Sequence, residues 1–503
     1  MGVTCLLKVV LALVVPITGD EAYFALWGMY PDFGYYDHPP MAGWWLWVML
    51  LGGNSALMVR LPAILVSAVA ALVIRGVLRP IDRRKADVVA TLFVLTPFHT
   101  LGIMTTTDTP LILFSAISAA FAYRAYLRGR WWDAVLAGVF LGGAFLSKYF
   151  AVLLGIAYAA LFPVMRGPRR GPALVLLILL GALPAITLNV LWNFEHGWPN
   201  IMFNLFNRHG DSGFSLVNPL IFLAATAFWL GPGIVSRLWA ARAAIRAGFS
   251  EWWNVAACNG TVVFVFASLV PAGIFFLLSW TKAVGFHWLM SFFPLFFPVL
   301  FAVVDVTELA RMLKPTAWFS AILGAFVLVV VQLPVAWFKT AKSYESILLS
   351  TDTSRVLEAF EPWTDEYLLA TSSYTKAAVL EFKTGKHIPV VGRGSFNGRH
   401  DDMLTDFREL DGQDILLLDI REERVARGKA WFRESEIRTV EVLGGEFAIL
   451  LGRDFDYETY RRDVLQQIAD EFYDIPPWLA GMMKESFFLE RYELAPATGA
   501  KGK

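Results

Sequence analysis

Pro172 to Asn193 reads PALVLLILLGALPAITLNVLWN, 22 residues without one ionisable side chain. A helix rises about 1.5 Å per residue, so a run of about 20 such residues matches the roughly 30 Å of a bilayer's hydrocarbon layer. Working outward in both directions, the same test predicts about eleven spans. They fall at 2–18, 57–78, 86–104, 109–127, 131–147, 149–165, 172–193, 217–237, 255–278, 288–304 and 316–337. The first is read as a span, because it lacks the basic start and the small-residue cleavage site of a secretory signal. Composition agrees: 56% of the 503 residues are hydrophobic and 17% are charged, against about 25% charged in soluble domains.

Acids and bases balance at 43 each, so net charge makes no case for a nucleic-acid or acidic partner. Their positions do carry information, because cytoplasmic loops retain Lys and Arg. With the N-terminus inside, sixteen cations gather on the cytoplasmic side, in segments that include Arg75 to Lys85 and Arg166 to Arg170. Only four, Arg60, Lys148, Arg208 and Lys282, fall towards the other side. An odd number of spans then puts the C-terminal region outside. Cys5 and Cys258 both lie in apolar runs, which argues against a disulfide framework or a cysteine zinc site.

Beyond about Trp337 charged residues become frequent and no run is long enough to span. The expectation is a membrane domain over 1–337 and a soluble α/β domain over 338–503. Strands are predicted at Tyr367–Ala370, Ile388–Val391 and Ile415–Leu418, and a helix over Thr375–Lys383 closed by Gly385. Val440–Val442 and Phe447–Leu451 flank Gly444-Gly445 as a hairpin.

Polar residues cluster without a solubility reason in the first outside loop, 19–43. Asp20, Glu21, Asp32, Asp37 and His38 stand there among Tyr23, Trp27, Tyr35 and Tyr36, with no Lys or Arg. One reading is an interfacial N-cap followed by an amphipathic helix with an aromatic belt. The other is a site where carboxylates meet both a lipid headgroup and a soluble substrate.

Asp20-Glu21-Ala22-Tyr23, Gly34-Tyr35-Tyr36-Asp37-His38-Pro39-Pro40, Thr107-Asp108-Thr109-Pro110 and Leu146-Ser147-Lys148-Tyr149 follow one another on one side of the membrane. In that order they resemble the GT-C membrane glycosyltransferases. The nearest branch is the bacterial one related to protein O-mannosyltransferases and to the aminoarabinose and galacturonic acid transferases of lipid A. The resemblance covers roughly 15–340 and implies a mostly α, polytopic GT-C fold in the bacterial inner membrane, with its site facing the periplasm. It further implies inverting transfer from a polyprenyl-phosphate sugar to lipid A, lipopolysaccharide or another envelope glycan. A protein acceptor is the alternative within that chemistry, and a lipid-linked sugar flippase the alternative outside it.

By that resemblance Asp20 is the base that deprotonates the acceptor, Glu21 supports it, and Asp108 orients the acceptor or the base. Asp108 also reads as a helix start before Pro110. A departing phosphate needs cations where its charge grows, and Lys148, Arg208, His38 and Lys282 are the candidates. Lys148 and Arg60 equally read as side chains snorkelling to the interface; for Arg60 that is the expectation. The aminoarabinose transferases carry an acid-lysine-proline run where this chain has Asp37-His38-Pro39, so His38 replaces the lysine. Asp37, His209 and His287 then form a tentative site for zinc, manganese or magnesium, or else are interfacial groups bonded to their neighbours. Phe286-His287-Trp288 is the aromatic cluster expected nearest the site.

Overall fold

The computed structural model describes residues 2–208, 213–285, 287–481 and 486–495. Every one of the eleven apolar runs is helical, but not every one crosses alone. Ala56–Leu78, Asp108–Arg128, Ala151–His196, Val262–Ser279 and Val306–Val330 are long and apolar enough to span. Ala151–His196 joins two predicted spans across Gly167, whose φ of 79° marks the turn between them. Two further pairs are bent: Gly2–Val14 with Gly19–Met29 by 90°, and Val217–Leu230 with Pro232–Ala247 by 109°. The run 86–104 breaks after Val94, where Thr96 caps a new short helix starting at Pro97. Proline at a first helical position costs no hydrogen bond, and the residue before it leaves the helical region.

The region expected as an outside loop, 19–43, is mostly helix. Thr18 Oγ1 accepts from the Glu21 amide at 3.3 Å while the Glu21 carboxylate accepts from the Thr18 amide at 3.1 Å. This reciprocal capping box starts Gly19–Met29. A second helix, Met41–Leu50, follows, so that Tyr30–Pro40 is the true connection. The aromatics do not form a headgroup belt: Trp27, Tyr35 and Tyr36 are fully buried.

Arg60 does not snorkel. Its side chain is fully buried; Nε and Nη2 donate to Glu21 at 2.8 Å, and the remaining N–H groups reach the carbonyls of Ala12, Val15 and Pro16. The sharp bend after the first helix leaves those carbonyls without helical partners, and one guanidinium satisfies them together with Glu21. Lys8 is likewise interior, donating to the Ala63 carbonyl and Ser67 Oγ.

The C-terminal region is built on a four-stranded sheet: β1 Leu368–Thr371, β2 Ile415–Asp419, β3 Phe432–Val442 and β4 Gly445–Phe455, in the order β1-β2-β4-β3. β1 and β2 are parallel, and β4 runs antiparallel to both β2 and β3. Val390 adds a parallel bridge on the free side of β1, pairing with Thr371. The helix after β1, Tyr374–Thr384, ends in left-handed Gly385 as expected. Its core is not separate from the membrane half. Tyr23, Trp27 and Leu46 share one apolar cluster with Leu348, Phe360, Leu380, Leu416 and Ile449.

Candidate active site

Asp20 is the second residue of Gly19–Met29, exposed at the positive end of that helix. Helix Tyr374–Thr384 lies directly on it: a Cβ at Gly19 would come within 2.6 Å of Thr375, so only glycine permits this approach. The approach brings the Tyr374 hydroxyl to Asp20 Oδ1 at 3.3 Å. Burial, and then the carboxylates of Asp20 and Asp37, push the Tyr374 phenol above its ordinary range. Tyr374 therefore keeps its proton and acts on Asp20 as a donor.

Asp37 accepts from the Tyr23 hydroxyl at 3.2 Å, and His38 Nδ1 stands 3.6 Å from its other oxygen. The backbone carrying them is held from one helical face. Asn200 donates to the carbonyls of Tyr35 and Tyr36, Asn204 to that of Asp37 at 3.2 Å, and Asn207 to the Tyr36 hydroxyl at 3.1 Å. Asn200, Asn204 and Asn207, set along Pro199–Ile201 and the π-helical turn Met202–Asn207 that follows it, form a clamp on the segment 35–37.

Asp108 opens the helix Asp108–Arg128, but as a pairing group and not as a cap: Thr107 is the N-cap. Lys148 Nζ donates to both its oxygens at 2.9 and 2.8 Å, and Ser291 Oγ donates at 2.7 Å. Lys148 sits in the turn between Trp131–Phe145 and Ala151–His196, buried, so its snorkelling reading fails. His287 Nε2 lies 4.0 Å from Asp108 Oδ2. Desolvation, against the pull of Asp108 and with the charges of Lys148, Arg208 and His38 nearby, lowers His287 to about 4 and leaves it neutral at pH 7. Arg208 stacks over Trp288 at 4.8 Å and is drawn electrostatically by both Asp37 and Asp108.

The named groups lie near one another: Asp20 to Tyr374, Tyr374 beside Tyr23, Tyr23 to Asp37 and His38, Arg208 over Trp288 within the field of both Asp37 and Asp108, then Lys148 and His287 with Asp108. Glu21 stands apart, fully buried against Arg60. Lys282 makes no ion pair with these groups among the described residues. His209 and Phe286 lie outside the described residues. Among the described residues no three His, Cys, Asp or Glu side chains converge as metal ligands. Asp37 and His287, the described members of the tentative set, belong to different pairs.

Tyr374, Ser291 and the asparagine clamp went unnoticed in the sequence, where Tyr23 counted only as one aromatic of the loop. Only the clamp had a local signal, its helical spacing.

Below the same joint lies a titrating cluster. His387 Nδ1 is 3.1 Å from Glu381 and Nε2 is 2.8 Å from Thr405 Oγ1 and 3.4 Å from Asp401. Burial alone would lower His387, but the Glu381 hydrogen bond and the Asp401 charge outweigh it and the imidazole is raised. Burial raises Asp401 from 3.8 to about 6. A raised group binds protons more tightly when folded, so its stabilisation is present below its unfolded value and lost as pH climbs through the folded one. Asp401 gives up its share by about pH 6, and the melting temperature is expected to go on falling as pH climbs above about 6.5, the ordinary histidine value, with His387→Gln flattening that upper part. An unchanged slope in the variant would assign the effect elsewhere.

The helical arrangement with its small C-terminal sheet is the GT-C fold, and its several apolar helices long enough to cross a bilayer make the chain a multi-pass membrane protein. Residues 37–192 match the family described as dolichyl-phosphate-mannose-protein mannosyltransferase, so the matched segment begins at Asp37 and excludes Asp20. The chain is 29% identical over 236 residues to the lipid A galacturonosyltransferase RgtD of Rhizobium johnstonii. That match takes in 45% of this chain and about half, 49%, of the relative. Structures of ArnT from Cupriavidus metallidurans, in the apo state and bound to undecaprenyl phosphate, superpose with a TM-score of 0.59. They are 16% and 14% identical, each covering 89% of this chain and 96% of the other. At that identity the likeness is one of fold.

Proposed function

We propose that the protein is an inverting glycosyltransferase that moves a sugar from a polyprenyl-phosphate carrier to an envelope acceptor, at the periplasmic face of the bacterial inner membrane. The observation that carries this reading is the Asp37–Arg208–Asp108–Lys148 set beside Asp20: carboxylates for proton transfer and orientation, with cations at hand for a phosphate. Asp20 takes the proton of the acceptor hydroxyl, whose oxygen forms the new bond to the anomeric carbon. The bond from that carbon to the phosphate oxygen breaks, and its electron pair leaves with the carrier. Lys148 and Arg208 meet the charge that grows there, which is where fixed cations act most strongly on a rate. Residues 338–503 serve as an extracytoplasmic domain closing over the reacting groups.

The relative's name makes galacturonic acid the first sugar to try and lipid A the first acceptor. The test supplies detergent-solubilised protein with a panel of polyprenyl-phosphate sugars and, in separate arms, lipid A and a hydroxyl-bearing protein. The expected result is release of polyprenyl phosphate from one donor with the sugar recovered on lipid A. Sugar on the protein substrate would replace the acceptor. Translocation of intact donors in vesicles without turnover would overturn the enzyme reading.

A further inference from the structure

A cavity of about 600 Å³ lies in the C-terminal region, with neither Asp108 nor Lys148 in its lining. Its place follows from the sheet. β1 has a parallel neighbour on each side: Val390 on one, β2 on the other. The chain leaves β1 through helix Tyr374–Thr384 to reach Val390, then returns across β1 to enter β2. The strand order reverses there, and in open α/β sheets the crevice beyond the carboxyl ends of strands at such a point is where ligands bind. Ser372 after β1, the loop Gly392–Arg399 after Val390, and Arg424 and Arg427 after β2 line this cavity.

The lining tells what would fill it. Trp431 forms part of the wall, an apolar ring suited to the C–H face of a sugar, and Asn397 supplies an amide. Most charges in and around the cavity are already matched. Arg399 is paired with Asp402 and Arg393 with Glu471, and the lining carboxylates Asp401 and Asp463 face His387 and Arg462. Asp419 takes Lys376 at 2.8 Å together with Ser372, so Arg424, 3.6 Å away, is surplus to it. Arg427 is exposed and has no ion pair among the described residues. Two exposed guanidiniums without a full counter-charge therefore stand at the rim, beside an aromatic wall.

Tyr374 belongs to this cavity and to the candidate active site. It lines the former and donates to Asp20 in the latter. Gly398, with φ of 66°, lies flat on the Tyr374 ring, where a Cβ would come within 2.4 Å. The loop that forms the cavity thus rests on the residue that touches the candidate base.

We infer that this cavity is an anchoring subsite for an anionic saccharide, a sugar ring bearing phosphate or carboxylate, that forms part of the acceptor. This rests on the glycosyltransferase reading for its purpose but not for its measurement, because binding needs no donor. The test titrates the detergent-solubilised full chain, without donor, with a bisphosphorylated glucosamine disaccharide. The unphosphorylated disaccharide and inorganic phosphate are titrated in parallel. The phosphorylated sugar is expected to bind at least about tenfold more tightly than either comparison, as befits charge-assisted bonds to arginine. Arg424→Ala with Arg427→Ala should cost about tenfold in that affinity, with the melting temperature unchanged because both side chains are exposed. Trp431→Phe, which keeps a ring against the loop, should cost less than the arginine pair. Equal binding of charged and neutral sugars, no binding, or an arginine pair that changes nothing would overturn the subsite. Phosphate alone binding as tightly as the sugar would reduce it to an anion site and also overturn it. Donor turnover that persists after any of these failures would leave the enzymatic reading standing.

Discussion

Asp20→Asn should lower transfer by about 10²–10⁴-fold, the range that a positioned general base contributes, with little change in folding. The two effects separate because of where Asp20 stands. It is exposed at the start of Gly19–Met29, and its one side-chain partner among the described residues is the Tyr374 hydroxyl. An asparagine oxygen accepts that bond equally well, so the joint between the helix and the C-terminal region survives. What is lost is the negative charge at a helix N-terminus, about 0.3–1 kcal/mol, and the ability to hold a proton. Tyr374→Phe removes only the donor and should cost far less. Release of polyprenyl phosphate, followed alongside thermal unfolding, checks both. Turnover in Asp20→Asn within about threefold of the parent would exclude Asp20 as the base, since even the weakest general base is worth more.

Asp20 was legible in the sequence because it lies in a dense local pattern, four carboxylates and an imidazole in a segment without one Lys or Arg. Its partner was not, because Tyr374 lies 354 residues further on and looks like any tyrosine at the start of a helix. Arg60 shows the same limit in reverse. A lone arginine near the end of an apolar run fits snorkelling, and only the right-angle bend after the first helix, which strands three carbonyls, makes burial the better solution. The breaks within spans were missed for a related reason. Apolar length was read correctly, but Pro97 and Gly231-Pro232 interrupt helices inside runs whose hydropathy gives no sign of a break. In the tail, β2 is four buried apolar residues closed by Asp419 and was recognised, whereas β3 is an edge strand whose exposed positions carry Arg and Glu, so only its last residues stood out.

Lys148→Met should destabilise the protein by about 3–5 kcal/mol, because removing one partner of a buried pair leaves the other charge uncompensated. The carboxylate left behind is Asp108, only 4% exposed and then supported by Ser291 alone among its close hydrogen-bond donors. Stability does not by itself separate a structural lysine from one that meets phosphate, and the double variant does. Asp108→Asn combined with Lys148→Met removes both charges, so most of the lost stability should return, a coupling that pairs in contact routinely show. Transfer should not return with it. A cation aimed at a leaving phosphate is worth about 10²–10³-fold, as other fixed groups that stabilise growing charge are, and the double variant still lacks one. The donor KM should rise as well, since the ground-state phosphate is already charged. Recovery of transfer together with stability would mean that Lys148 serves only to hold Asp108, and the role of meeting the phosphate would pass to Arg208, which stacks on Trp288 within the field of both carboxylates.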